Sequence, residues 1–207
     1  MSKFKVASLL ATVALLMSGT ACFADSVAVT PAVGWTVGTD TSSFTIGWQF
    51  TVNSPVDVTG LGYYAGLGTL NDNHSIGIFN SKGNLIDSAI VPAGGGTLNK
   101  GFLFVNAPVE LSAGAYTIGG ASIGSSDPVI TTTTSTIAIP EITLGESVYS
   151  YGTSLTLPTT AAPGFTFLGP DFETAAPVPE PSTWLLLGTG LLAMAIFGKK
   201  IFAEEKA

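Results

Sequence analysis

The sequence contains no arginine, one histidine and one cysteine, and its 7 basic and 14 acidic side chains make only 10% of 207 residues. A typical soluble domain devotes about 25% of its residues to charge. With a formal net charge of −7, a general nucleic-acid binder is excluded, because neutralising phosphates requires a surplus of Lys and Arg. The single cysteine, Cys22, lies near the N-terminus, so residues 25–180 carry no thiol nucleophile, no disulfide and no cysteine-based metal site. One histidine without cysteine cannot supply the three or four nitrogen and sulfur ligands that zinc takes. A Ser-His-Asp triad would have to use His74, and no Gly-x-Ser-x-Gly turn accompanies it. Neither a Walker loop nor a Gly-x-Gly-x-x-Gly turn is present, and no repeat of 20 to 50 residues is visible. Twelve carboxylates between residues 25 and 180 permit a glycosidase-type pair, but their spacing selects none. These absences predict a protein that is not an enzyme.

What is present begins with two apolar termini. Lys3 and Lys5 precede an apolar run from Val6 to Met17, and small residues follow up to Cys22-Phe23-Ala24. This is the order of a secretory signal peptide, expected over residues 1–24 with cleavage after Ala24 by signal peptidase, following export through the Sec translocon. The competing reading takes Gly19-Thr20-Ala21-Cys22 as a lipobox in which Cys22 carries a lipid. At the other end, Pro181 to Gly198 is an uncharged stretch of 18 residues bounded by Glu180 and by Lys199-Lys200. As a helix it would be about 27 Å long, close to the thickness of a bilayer core. Trp184 falls at one interface and the lysine pair at the other. The positive-inside tendency puts Lys199 and Lys200 in the cytoplasm and the N-terminus outside, with the helix in the inner membrane.

The segment Val178-Pro179-Glu180-Pro181-Ser182-Thr183-Trp184, followed at once by the apolar run and the basic pair, resembles the PEP-CTERM sorting signal of Gram-negative, exopolysaccharide-producing bacteria. The resemblance implies recognition by an exosortase, a membrane cysteine protease-transpeptidase that would cut near Pro179-Glu180-Pro181. Both prolines fix φ and hold the segment extended, the form a protease cleft accepts. The tail departs from the family pattern in ending on two lysines and seven further residues in place of an arginine-rich cluster.

Between the termini, period-two patterns dominate. In Phe44 to Val52, five apolar residues alternate with Thr, Gly, Gln and Thr, which predicts a strand with one face on a core. Val56 and Val58 alternate in one register and Leu61 and Tyr63 in the other, so a bulge is expected at Gly60. His74 to Phe79, the turn formers Asn80-Ser81-Lys82-Gly83-Asn84 and Leu85 to Val91 read as a hairpin. Further strands are expected at 102–105, 109–111, 115–118, 129–139, 147–151 and 165–168, the fourth of these stretches containing the threonine run Thr131 to Thr136. The reading is an all-β protein with an antiparallel, jelly-roll-like β-sandwich ectodomain over residues 25–174. A Pro-rich stalk over 175–181, a single transmembrane helix over 182–198 and a cytoplasmic tail over 199–207 follow it. Trp48-Gln49-Phe50, Val56 to Tyr64, Ile76-Gly77-Ile78-Phe79, Leu111 to Gly119 and Phe167 to Phe172, in that order, resemble the DUF4082-like secreted domains. That family implies a jelly roll and no established activity.

Two sets of side chains are candidates for binding. Asn71-Asp72-Asn73-His74 offers oxygen ligands for calcium at the mouth of a hairpin, or an Asx-rich turn that holds its own backbone; no other cofactor is expected. Of the aromatic set Trp35, Trp48, Tyr63, Tyr64 and Tyr116, Trp48 and Tyr63 fall on the core face, while Trp35 and Tyr64 are open to stacking on sugar rings. The function expected is a non-enzymatic exported cell-surface or matrix protein sorted by an exosortase, the alternative being an exopolysaccharide-binding module.

Overall fold

The computed structural model describes residues 25–175 apart from Asp40, Leu67, Thr133 and Thr134. The expected cleavage site at Ala24, Cys22, the sorting motif at Pro179, Glu180 and Pro181, and the anchor residues Trp184, Lys199 and Lys200 lie outside the described residues. Among the described residues, no helix is long and apolar enough to cross a membrane.

The chain forms β1 (Ser26–Val27), β2 (Val29–Val33), β3 (Thr36–Gly38), β4 (Phe44–Val52), β5 (Val56–Tyr64), β6 (His74–Asn80), β7 (Leu85–Val91), β8 (Thr97–Asn99), β9 (Phe102–Leu111), β10 (Gly114–Ser122), β11 (Val129–Thr132), β12 (Ser135–Ala138), β13 (Ile142–Tyr151), β14 (Thr160–Ala161) and β15 (Pro170–Thr174). One sheet has the order β1-β15-β5-β9-β8 and the other β14-β13-β4-β10-β6-β7. Within them, β1-β15-β5-β9 and β4-β10-β6-β7 are the two four-stranded halves of a jelly roll, wound so that the chain passes between sheets at β4–β5, β5–β6, β7–β8, β9–β10 and β14–β15. The remaining pieces are additions. β13 and β14 extend the second sheet beyond β4, and two ribbons, β11-β3 and β12-β2, join the segment before β4 to the segment after β10.

The alternation in β4 and β5 supplies the core. Trp48, Phe50, Leu61, Tyr63, Ile76, Ile78, Phe102, Ile118 and Phe172 are buried between the sheets. Complete burial of an aliphatic or aromatic side chain of this kind contributes about 1.5–3 kcal/mol. Phe172 stacks on Trp48 at 5.9 Å and tilts against Phe50 at 5.3 Å. The indole N–H of Trp48 donates to the Pro170 carbonyl at 3.0 Å, so its polar atom is satisfied inside the core. The bulge in β5 falls between Val58 and Gly60, where the parity switch requires it. A Cβ on Gly60 would stand 2.9 Å from the Val105 carbonyl, which leaves glycine as the residue that fits the kink. The β6–β7 hairpin turns on Gly83 at φ +81°, and Asn80 Oδ1 accepts from the N–H groups of Lys82 and Asn84 at 3.0 Å each.

Three expectations are corrected. Residues 129–139 form two strands, because β11 pairs with β3 and β12 with β2, each in its own ribbon with a register shift. Residues 165–168 are not a strand; they run as a loop with one bridge between Ile130 and Leu168. The pieces at 102–105 and 109–111 belong to one strand, β9, that continues through Pro108 opposite the β5 bulge.

Candidate functional site

The Asn71–His74 loop is a closed node. His74 is buried, its Nδ1 3.0 Å from the Ala121 carbonyl and its Nε2 3.0 Å from Asp127 Oδ2. Asp127 is also buried and accepts from the Asn71 N–H at 2.8 Å, the Asn71 side-chain amide at 2.7 Å and the Asp72 N–H at 2.9 Å. A carbonyl oxygen can only accept, so Nδ1 donates to Ala121. The contact with Asp127 Oδ2 engages Nε2, so both ring nitrogens are held in hydrogen bonds. Burial pushes the Asp127 carboxyl up, but the Asn71 N–H, the His74 ring and the Asp72 N–H outweigh it and hold the group below its ordinary value.

The node ties the loop that precedes β6 to the loop that follows β10. His74 lies flat on Tyr63, with ring centroids 3.8 Å apart and planes at 8°. Burial pushes the Tyr63 phenol well above its ordinary value, against an opposing hydrogen bond with Ser122. Asn73 Oδ1 accepts from the Ala93 N–H at 2.8 Å. The side chains of Asn71, Asn73 and His74 are therefore committed to bonds with Asp127, Ala93 and Ala121, outside their own loop. Among the described residues, no group of three or more His, Cys, Asp or Glu side chains is placed to hold a metal ion. Neither nitrogen of His74 is free to take a proton from a nucleophile. Asp127 was missing from the sequence reading, and its separation of 53 residues from His74 leaves no local signal.

The open site lies elsewhere. Tyr149 and Tyr151 of β13 stand directly opposite Ile46 and Phe44 of β4, on the same sheet face as Trp48 and Phe50. Here that face runs past the main core: Phe44, Ile46 and Val129 make a separate small cluster, with Tyr149 and Phe167 packed against it. The ring sequence Tyr151, Tyr149, Phe167, Phe165 is continuous, with successive centroids 5.6, 6.5 and 5.6 Å apart. The first two contacts are edge to face and the third is stacked. They line a groove of about 610 Å³ together with Gly38, Thr39, Val129, Thr131 and residues 161–163. That volume is within the range of about 300–1,000 Å³ typical of small-molecule sites. The described lining includes no charged side chain.

The aromatic residues singled out in the sequence divide differently. Trp48 and Tyr63 are core residues as expected. Tyr64 is buried too, edge-on to Phe102 at 5.3 Å, and Tyr116 stacks on Phe50 at 5.6 Å. Trp35 is exposed but does not line the groove. Besides Phe44 of β4, the rings that do line it sit two residues apart, Tyr149 with Tyr151 and Phe165 with Phe167. In an extended chain that spacing places each pair on one side, so the signal was present in the sequence.

No curated protein matches the sequence. Residues 177–200 match the PEP-CTERM protein-sorting motif. This motif implies export, membrane anchoring before processing, and processing by an exosortase. Residues 28–167 match the family described as a domain of unknown function, DUF4082. Since that match covers more than half of the chain, the protein belongs to the DUF4082 family and is a PEP-CTERM protein.

Proposed function

We propose that the protein is a non-enzymatic, exported cell-surface or extracellular-matrix component, and that an exosortase sorts it by cutting near Pro179-Glu180-Pro181. The observation that carries this reading is the sorting motif at residues 177–200, placed directly after a jelly-roll domain. In transit the N-terminal side faces outward while Trp184 and Lys199-Lys200 mark the two ends of the inner-membrane helix. The Sec translocon and signal peptidase handle residues 1–24, and the finished protein is released to the surface or the exopolysaccharide matrix. A non-enzymatic role is supported by the commitment of both His74 nitrogens and by a groove whose described lining carries no carboxylate. Replacing Pro179-Glu180-Pro181 by three alanines tests the reading in the exporting cell. The variant is expected to accumulate uncut in the membrane fraction, and processing at the normal rate would contradict it.

A second reading, recognition of matrix carbohydrate, is favoured by the aromatic strip, because Tyr151 and Phe165 present rings to solvent. In a soluble domain, an open strip of this kind at a concave site marks a binding surface.

A further inference from the structure

We propose that the groove between β11 and β13 binds a neutral glycan, with sugar faces stacked on Tyr151 and Phe165 above a floor formed by Tyr149 and Phe167. The proposal rests on the carbohydrate reading and names the place and the ligand class.

Exposure is the first argument. Tyr151 is 76% and Phe165 52% exposed, whereas Trp48, Phe50, Phe102 and Phe172 are at most 2% exposed in the same domain. The fold does not need those two rings for its core. Position is the second argument. Apart from Phe44 and Ile46, the lining comes from β3 and Thr39 just after it, β11, β13, β14 and the 162–167 loop, all outside the eight-strand jelly roll. Chemistry is the third. A sugar offers an apolar C–H face and hydroxyl edges. The groove offers aromatic faces beside polar atoms of Thr39, Tyr149 and Tyr151.

Charge then selects among glycans. Residues 25–180 carry 12 acidic and two basic side chains, so the domain repels a polyanion, including an acidic polysaccharide. A cationic ligand would find no carboxylate on the described lining. The occupant that meets neither penalty is uncharged.

The test is isothermal titration of the full chain in phosphatidylcholine nanodiscs with dextran, a soluble β-glucan and a galactomannan, and with alginate as the polyanion. At least one neutral polymer is expected to bind, alginate to bind more weakly, and the double variant Y151A/F165A to lose about tenfold or more in affinity. An unchanged thermal midpoint checks that the double variant folds, and Tyr151→Ser alone serves if it does not. Tyr151→Trp should retain binding, and Ile90→Ala, exposed on the edge strand β7, should leave it unchanged. Neutral-glycan binding that survives loss of both rings overturns the groove and leaves the carbohydrate reading standing, whereas binding of none of the polymers overturns both. Tighter binding of alginate overturns the ligand class. Concentration-dependent dimerisation abolished by Y151A/F165A, without glycan binding, overturns the proposal in favour of a second copy.

Discussion

Two sets of aromatic rings occupy the same face of the second sheet and meet different fates. Trp48 and Phe50 lie where the first sheet covers β4, and both are buried against Phe172. Tyr149 and Tyr151 lie on the neighbouring strand beyond that cover, and Tyr151 stays in solvent. The two sets differ in cover rather than in type. A jelly roll of eight strands buries what it needs, and the added strands carry rings that the core leaves open. This is how a common scaffold acquires a site without disturbing its packing.

The largest effect should come from the covered set. Trp48→Ala removes a buried ring and the donor to the Pro170 carbonyl, and is expected to destabilise the domain by about 3–5 kcal/mol in urea unfolding. A loss below about 1 kcal/mol would mean that this part of the core is not packed as described.

A smaller loss should follow Asp127→Ala, about 1–3 kcal/mol, because it leaves the Asn71 and Asp72 N–H groups and His74 Nε2 without their partner. The node also sets a pH dependence. The Asp127 carboxyl is held below its ordinary 3.8, so it contributes stability above that value that is lost as the pH falls through its lowered folded value. Asp171 acts with the opposite sign. It is buried, accepting from the Val29 N–H at 3.3 Å and its neighbour Phe172 at 2.7 Å, and burial outweighs both bonds and raises its carboxyl. Its contribution is present below the ordinary value and is lost as the pH rises through its raised folded value. Unfolding measured across pH should therefore lose its acid limb in Asp127→Asn and be flattened toward higher pH in Asp171→Asn. Profiles parallel to that of the unaltered protein would remove these two groups from the account.

The smallest effect belongs to the uncovered set. Tyr151→Ala is expected to change unfolding free energy by no more than about 0.5 kcal/mol, as for most exposed positions. A destabilisation near that of Trp48→Ala would erase the distinction between the two sets and with it the case for an open groove.

The jelly roll was legible where strands are long and half buried. The alternation of Phe44 to Val52 and the parity switch at Gly60 located β4, β5 and the bulge from local pattern alone. The short strands were not legible: β1, β3, β8 and β14 have two or three residues each, too few for a period to emerge. β15 was hidden for another reason. It opens on Pro170 and buries Asp171, both of which argue against an interior strand when only the sequence is in view. The run from Val129 to Ile139 read as one strand because β-branched residues fill it, but its two halves have different partners, and pairing is a tertiary choice. The polar character of the His74 loop was legible from its residue types, while Asp127, the acceptor that organises it, was not. Its role depends on the return of β10 to the same end of the sandwich.

The groove has meaning only on a domain that leaves the cell, so the central claim is that this chain is exported and its tail removed. The direct measurement is the intact mass of the mature protein recovered from the surface or the surrounding matrix. A C-terminus close to Glu180 is predicted; recovery of every molecule with Lys199 and Lys200 still attached would contradict the account.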